Sequence, residues 1–348
     1  MALSPSLQNL SVTSVANGIS NTTSRTRRRP SLVVHMATSD TSIGTFEEGR
    51  LVRPKWTGHT PISRLVVALI SFKPLYSILK LGARQVLIST AEKNNIPWRE
   101  MAKEILESDA YKELESIRDH SLEYPDSAEA EAATLSMVRR AIPDASSVDE
   151  ANQILRGNWL QAIEQHHLKY TKTSMINDIL DIGCSVGEST RHLAAKFPNA
   201  KVTGLDLSPY FLAVAQLKEK NRAPRKHPIS WIHANGENTG LPSKSFDLVS
   251  ISFVLHECPE RAIVNMIKEA FRLLRPGGTI ALTDNSPKSK ILQELPPVLF
   301  TLLKSTEPFI DEYYLTDMEA TLRQAGFVNI QSILTDPRHM TATATVPY

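Results

Sequence analysis

One stretch of the chain, residues 178–190 with the sequence DILDIGCSVGEST, constrains the fold more than any other. Residues 178–182 mix β-favouring apolar side chains with two carboxylates, and Gly183 and Gly187 then bracket a loop of small residues that leads into a helix-forming run. A strand, a glycine loop and a helix in this order form the nucleotide-binding unit of α/β proteins. Gly183 would let the backbone turn sharply and approach a ligand without a Cβ in between. The loop is therefore predicted to form the floor of a cofactor site.

The spacing of the loop disfavours a dinucleotide. A dinucleotide-binding loop needs glycines at its first, third and sixth positions, but Ser185 and Glu188 occupy the third and sixth positions here. The carboxylate of Glu188 would also repel a pyrophosphate at the start of the following helix. The pattern Asp181-x-Gly183-x-x-x-Gly187 resembles instead motif I of the class I S-adenosylmethionine-dependent methyltransferases. Their cofactor is cationic at sulfur and carries no phosphate.

The C-terminal half alternates strand patterns with helix patterns, which predicts a mostly parallel sheet wrapped by helices. The predicted strands are 178–182, 202–207, 229–233, 246–253 and 279–283, and the predicted helices are 188–197, 210–221, 260–274 and 318–326. The family resemblance implies a Rossmann-like α/β fold with a seven-stranded sheet over residues 173–348. It also implies a sharp Leu-x-Pro-Gly-Gly turn before strand five, here residues 274–278, and a final antiparallel pair at 328–335 and 341–346.

Two segments are candidates for the adenosyl half of the cofactor. Asp206 ends the second predicted strand, where a carboxylate can accept hydrogen bonds from both ribose hydroxyls; an acid present there by chance is the alternative. In many relatives an Asp near the end of strand three accepts from the adenine amino group. Asn235 stands in its place and retains a carbonyl acceptor, although a simple Asn-Gly turn is an equal alternative. The implied S-adenosyl-L-methionine contacts are Asp181, Gly183, Cys184, Ser185, Gly187, Asp206, Leu207, Asn235, Gly236 and Glu237.

The candidate catalytic residues are His256 and Glu257, which follow strand four. Catalytic groups of such sheets lie beyond the carboxyl ends of the strands, so either residue could deprotonate a hydroxyl or a carbon acid. The alternative for His256 is a hydrogen bond to the next helix. The two cysteines, Cys184 and Cys258, are predicted to be reduced thiols, and no cluster of ligands suggests a metal.

The N-terminal half is predicted to contain three segments. Residues 1–36 are rich in Ser, contain an Arg run and lack Asp and Glu, which is typical of an organelle transit peptide and favours a plastid location; a disordered basic tail is the alternative. Residues 37–63 are predicted to be a linker and 64–172 a helical cap region. Within the cap region, residues 64–89 form either an interfacial helix pair on a membrane or a cap packed on the core.

The N-terminal half resembles that of a plastid-targeted plant group of the superfamily. Members of that group carry an aromatic-rich stretch at a point where this chain joins Asp126 directly to Ser127. Together, the methyltransferase motifs and the composition of residues 1–36 predict methyl transfer from S-adenosyl-L-methionine to a small plastid metabolite, with lipophilic compounds among the options. The alternative is a non-catalytic binding or assembly protein with the same fold. Without the Arg run the remaining chain is slightly acidic, which gives no support for a nucleic-acid partner.

Overall fold

The computed structural model describes residues 60–118, 127–172 and 175–348. The predicted transit peptide and residues 37–59 of the predicted linker lie outside these ranges, as does Asp126. The strands are β1 (Asp178–Ile182), β2 (Lys201–Asp206), β3 (Ser230–His233), β4 (Phe246–Ser252), β5 (Leu274–Asn285), β6 (Val328–Leu334) and β7 (His339–Thr345).

Helices surround the sheet and fill the N-terminal part of the described chain. The N-terminal helices are α1 (Pro61–Ser71), α2 (Lys73–Lys93), α3 (Trp98–Glu107), α4 (Asp109–Ser116), α5 (Ala130–Ala141) and α6 (Val148–Tyr170). The later helices are α7 (Glu188–Lys196), α8 (Pro209–Lys220), α9 (Glu260–Leu273), α10 (Lys290–Gln293), α11 (Pro297–Thr306), α12 (Ile310–Leu315) and α13 (Met318–Gln324), with a short 3₁₀ helix at Leu255–Glu257.

The strands form one seven-stranded sheet in the described ranges, in the order β3-β2-β1-β4-β5-β7-β6. Strands β1 to β5 pair in parallel, and β7 lies antiparallel between β5 and β6. This confirms the predicted α/β fold with a Rossmann-like sheet. The first four predicted strands agree with the structure to within one residue at each end, because their apolar residues are clearly bounded by polar or glycine-containing turns.

Strand five is longer than predicted and includes the Pro-Gly-Gly turn. β5 begins at Leu274, which pairs with Phe246, rather than at residue 279. The N–H of Gly277 donates to the carbonyl of Val346 over 2.8 Å, and the N–H of Val346 donates to Gly278 over 2.9 Å. The turn is needed, since Gly277 has φ +80°, but its backbone groups join the sheet.

Two apolar layers enclose the sheet. On one face, Ile263 of α9 and Leu322 of α13 pack on alternate residues of β1 and β4. On the other face, Trp159 and Ile163 of α6 pack with Leu193 of α7 and the remaining strand residues. Helix α6, which the sequence assigns to the predicted cap of residues 64–172, therefore packs directly on the sheet, and it also contacts α5. Its apolar positions at helical spacing are compatible with either arrangement.

Helices α3 and α4 cover the region around the glycine loop. Ile105 of α3 and Tyr111 of α4 are in one buried cluster with Val186 of the loop and Tyr210 of α8. The hydroxyl of Tyr210 also donates to the carbonyl of Leu114 over 3.2 Å. This contact supports the prediction of a helical cap region. The cap begins at Pro61, three residues inside the predicted linker, with Thr60 as the N-cap.

Helices α1 and α2 meet at a sharp bend. In the described part of the chain, no single helix has the length and apolar composition to cross a membrane. The two helices taken together do meet that criterion, but they are bent by 96° at their junction. Arg84 of α2 pairs with Glu129 just before α5, with Nε 2.7 Å from Oε2, so the second half of α2 is held to the cap.

Candidate functional site

The parallel strands bring the candidate residues to one edge of the sheet. Residue Ile182 at the end of β1 pairs with Leu205 of β2 and with Ile251 of β4, so the three strands end together. The glycine loop follows β1, Asp206 ends β2, and His256 lies in the 3₁₀ helix after β4. This edge is where ligands bind to open α/β sheets.

The two glycines of the loop adopt backbone conformations that favour glycine. Gly183 has φ +71° and Gly187 has φ +81°, both in the left-handed region. A Cβ on Gly183 would lie 2.5 Å from Cγ2 of Val254, and one on Gly187 would lie 2.5 Å from the ring of Trp231. The sequence predicted a close approach of the backbone to a ligand. In the structure, the close neighbours of these two glycines are side chains from β3, from α7 and from the segment after β4.

The loop is fixed to β2 through its backbone N–H groups. Those of Gly183 and Cys184 donate to the carbonyl of Leu205 over 2.7 and 3.0 Å. The N–H of Ser185 donates to Oδ2 of Asp206 over 2.8 Å, and Oδ1 of Asp206 accepts from Ser208 N–H over 2.8 Å. Asp206 is therefore a structural link as well as a candidate ribose ligand, and it is only 8% exposed. Burial raises its pKa, which these backbone hydrogen bonds partly offset.

Asp181 lies beneath the loop and supports it. Its carboxylate accepts from the hydroxyl of Thr190 on α7 over 2.7 Å and from that of Ser250 on β4 over 3.0 Å. Burial raises the pKa of Asp181 to about 6. The thiol of Cys184 is also buried, next to the backbone of Gly204, and burial raises its pKa well above the usual value. For both residues, direct contact with a cofactor stays a prediction.

The predicted adenine segment forms a turn. Oδ1 of Asn235 accepts from the N–H of Glu237 over 2.9 Å, which is the alternative considered for this Asn-Gly pair. Glu237 in turn accepts from Arg261 over 2.7 Å and from Asn265 over 2.8 Å, so it holds α9. Gly236 packs tightly, since a Cβ there would lie 2.6 Å from Ile182. The segment is thus organised by its own contacts.

One further predicted contact residue lies near this segment and remains accessible. Leu207, directly after β2, is 67% exposed and lies beside Asp206. Its carbonyl accepts from Nε2 of His233 over 2.9 Å. An apolar side chain beside the candidate ribose carboxylate is a suitable surface for a purine ring.

His256 forms a buried pair with Asp284 at the end of β5. Its Nδ1 donates to Oδ1 of Asp284 over 2.6 Å, and its backbone N–H approaches Oδ2 at 3.2 Å. Its Nε2 lies 3.8 Å from Oε1 of Glu307 and 3.9 Å from Oε1 of Glu257. The sequence offered a hydrogen bond to the next helix as the alternative; the partner in the structure is a strand-end carboxylate.

The surrounding carboxylates determine the charge of His256. Burial alone would lower its pKa, but Asp284, Glu307 and Glu257 outweigh burial and raise that pKa to about 10. Burial likewise raises the pKa of Glu307 to about 7 against the opposing effect of His256. At neutral pH His256 is therefore an imidazolium that can donate from Nε2, and Glu257 or Glu307 is better suited than His256 to accept a proton.

Sequence reasoning missed Asp284 and Glu307. Asp284 could have been found by the same rule that selected His256, because it ends the strand next to β4. Glu307 follows α11 in a helix–helix connection and carries no sequence signal. Among the described residues, no three His, Cys, Asp or Glu side chains are grouped as a metal site would require.

Comparison with known proteins gives the family. A family model described as a methyltransferase domain matches residues 179–278. The demethylmenaquinone methyltransferase of Lactococcus lactis subsp. lactis (strain IL1403) is 30% identical over 213 residues, which cover 53% of this chain and 79% of that protein. The chain belongs to the class I S-adenosylmethionine-dependent methyltransferases. The demethylmenaquinone methyltransferase of Tropheryma whipplei (strain Twist) is 32% identical over 168 residues, which cover 44% of this chain and 66% of that protein. That match spans less than two thirds of the relative's own length.

Solved methyltransferase structures resemble the fold loosely. The CurJ carbon methyltransferase has 15% identity and a TM-score of 0.46, with 84% of this chain and 72% of that chain covered. Human N-acetylserotonin methyltransferase, solved with S-adenosylmethionine, has 14% identity and a TM-score of 0.45, with 76% and 70% covered.

We predict that Gly183→Ala destabilises the protein by about 1–3 kcal/mol, from left-handed backbone strain and a clash with Val254. Gly240→Ala is a matched control, because Gly240 also has φ +71° but a Cβ there would meet nothing within 4 Å. Urea unfolding of both variants separates the contact from the strain. Equal losses of unfolding free energy would show that Val254 does not constrain the loop.

We also predict that Asp284→Asn lowers the pKa of His256 by at least about one unit, because it removes the nearest opposing charge. Since the folded pKa of about 10 lies above the ordinary histidine pKa of 6.5, the stability that His256 contributes is complete below about pH 6.5 and is lost as the pH rises towards 10. NMR titration of labelled histidine measures the pKa. Urea unfolding at several pH values measures how the free energy of unfolding depends on pH.

Asp336→Asn is the control for this measurement, because Asp336 pairs with a different histidine, His339, over 2.8 Å. It should leave the titration of His256 unchanged. A His256 pKa that is the same in wild type and Asp284→Asn would contradict the assigned pair.

Proposed function

We propose that this chain transfers the methyl group of S-adenosyl-L-methionine to a small, lipophilic plastid metabolite by direct displacement. The observation that carries the proposal is the common edge of the sheet, where Asp206 and the glycine loop lie beside the segment that bears His256. The relatives' names support a lipophilic acceptor, since they identify demethylmenaquinone as the compound that those proteins methylate.

The residues at this edge are compatible with the cofactor. Each carboxylate oxygen of Asp206 accepts one of the backbone hydrogen bonds described above and can accept a second, so both ribose hydroxyls could donate to it. The exposed Leu207 offers an apolar surface to the adenine. Nearby carboxylates, including Glu257, suit a ligand with a positive sulfonium.

The bound cofactor supplies an already activated methyl group, so the chain mainly has to position the acceptor and manage one proton. The imidazolium of His256 would donate from Nε2 to an acceptor oxygen and orient it, with Asp284 fixing the ring. Glu257 or Glu307 would accept the acceptor's proton. The pKa of Glu307, raised by burial to about 7, suits that role near neutral pH.

The location of the enzyme is also part of the proposal. The composition of residues 1–36 supports delivery to the plastid. Peripheral contact with a membrane through residues 64–89 would bring the enzyme to the phase in which a lipophilic acceptor dissolves.

A second candidate is a non-catalytic binding or assembly protein of the same fold. Two features favour it. Asn235 replaces the Asp of many relatives, and its carbonyl accepts a hydrogen bond within its own turn. The aromatic-rich stretch of the plant group is also missing where Asp126 joins Ser127. Such a protein could bind the cofactor but would not methylate an acceptor.

We predict that the full chain binds S-adenosylmethionine and its demethylated product, and that Asp206→Asn weakens both by about 1–3 kcal/mol through lost hydrogen bonds. Isothermal titration calorimetry measures this directly. Asp247→Asn is the control, because Asp247 lies at the opposite end of β4 and pairs with Arg275. Absence of binding by the wild type would refute the cofactor assignment, and an unchanged affinity would remove Asp206 from the site.

For catalysis, a plastid lipid extract incubated with the full chain and methyl-labelled cofactor should yield a labelled lipophilic product. His256→Ala and Glu257→Ala should lower its rate by about 10²–10⁴-fold if each group acts on the acceptor. Full turnover by both variants would exclude both residues from catalysis. Cofactor binding without label in any fraction would favour the non-catalytic alternative.

A further inference from the structure

The bend between α1 and α2 carries an apolar surface that faces solvent. Its large apolar side chains are between 40% and 66% exposed. We call it the elbow face, and it consists of Ile62, Leu65, Leu69, Phe72, Ile78 and Leu81. Most monomeric soluble proteins do not concentrate so many exposed apolar side chains on one short segment. The elbow face therefore requires an occupant.

The elbow face is attached to the folded body and is not a loose helix. Ser63 and Val66 on the other side of α1 are 1% and 5% exposed, and α1 contacts α11. In the second half of α2, Leu87, Ile88 and Ala91 pack in a cluster that includes Trp98 of α3. One side of the helix pair thus packs on the folded body. The apolar residues of the elbow face lie on the other side and are not needed for that packing.

Charge identifies the occupant. From residue 60 to residue 91 the chain contains Arg64, Lys73, Lys80 and Arg84 but no Asp or Glu. The first three are exposed, and Lys80 Nζ also lies 4.5 Å from the centre of the Tyr76 ring. A surface with exposed apolar side chains between cations complements a bilayer with anionic headgroups. The apolar side chains can enter the acyl boundary, and the cations can meet the phosphates.

We propose that the elbow face binds the surface of a lipid bilayer that contains anionic lipids. A second copy of this chain is a poorer occupant, because a symmetric contact would place these cations opposite one another. A spanning arrangement is also disfavoured, because the helices bend by 96° and basic residues lie on both sides of the bend.

The position of the elbow face connects it to the candidate site. Both α1 and α2 contact α11, and Glu307 follows that helix directly and lies 3.8 Å from His256. A bilayer bound at the elbow would therefore lie against the helix that leads to the acceptor side of the site. This consequence rests on the proposed function. Lipid binding by the elbow face gives the residues and the lipid charge for the membrane contact proposed above, and it can be tested without a methyl acceptor.

Vesicle co-sedimentation of the full chain tests the proposal without a known acceptor. Vesicles of phosphatidylcholine containing about 30% phosphatidylglycerol should bind the protein at least about tenfold more tightly than vesicles of phosphatidylcholine alone, and salt should weaken the binding. The variant Leu65→Asp/Phe72→Asp should lose at least about tenfold of this affinity, since it removes two exposed apolar side chains that would enter the acyl boundary. Lys73→Gln/Lys80→Gln should weaken the binding by about thirtyfold, at about 1 kcal/mol for each lysine.

Leu168→Asp is the matched control, because Leu168 is 57% exposed on α6 and lies outside the elbow face. It should bind vesicles like the wild type. Replacing Arg25, Arg27, Arg28 and Arg29 by Gln removes the other basic run, and the effect of Leu65→Asp/Phe72→Asp should persist in that background. Calorimetry with S-adenosylmethionine should give the same affinity for all these variants.

Three outcomes would overturn the proposal. They are wild-type binding that does not distinguish the two vesicle compositions, Leu65→Asp/Phe72→Asp binding that equals wild type, and a wild-type dimer that this variant converts to a monomer. The last outcome would assign the elbow face to a second copy. Because vesicle binding and cofactor binding are measured separately, failure of either leaves the other standing.

Discussion

The hydrogen bond from the N–H of Ser185 to Asp206 is the interaction on which the candidate site depends. It joins the glycine loop of β1 to the end of β2, and the same carboxylate also holds the start of α8 through Ser208. Asp206 is therefore positioned before any ligand arrives. Such preorganisation means that a ribose would meet a fixed acceptor, so little ordering would remain to be completed on binding.

The histidine at the edge of the sheet illustrates the opposite constraint. Burial would make His256 neutral, yet three carboxylates around it favour the charged form, with Asp284 in direct contact. Gly183 permits this arrangement to lie close to the loop, since Val254 occupies the space that a Cβ would need. The glycine loop and the segment that bears His256 are thus in direct van der Waals contact.

Much of the fold could be predicted from the sequence because its signals are local. The periodicity of β1 and the glycines after it define the strand and the turn without knowledge of the neighbours. The contact of helix α6 with the sheet could not be predicted, because an apolar helical stripe does not identify the surface against which it packs. The Pro-Gly-Gly segment was predicted as a turn alone, since its pairing with Val346 joins residues far apart in sequence.

The site was predicted only where one strand end implies one residue. Asp206 and His256 follow from that rule, and Asp284 satisfies it too but was not selected. Glu307 reaches the site through the packing of α11 and α12, which no local pattern encodes. For Asn235 the sequence left a turn and an adenine contact open, because an Asn-Gly pair suits both. The structure shows the hydrogen bond of the turn.

The central claim is that Asp206 and His256 belong to one site that binds S-adenosylmethionine. NMR of histidine-labelled protein tests it most directly, because the ring signals of His256 can be followed as either cofactor form is added. Both S-adenosylmethionine and its demethylated product should shift these signals, and the cationic form should lower the pKa of His256 relative to the neutral product. Signals of His256 that do not move at saturating concentrations of either ligand would contradict the claim.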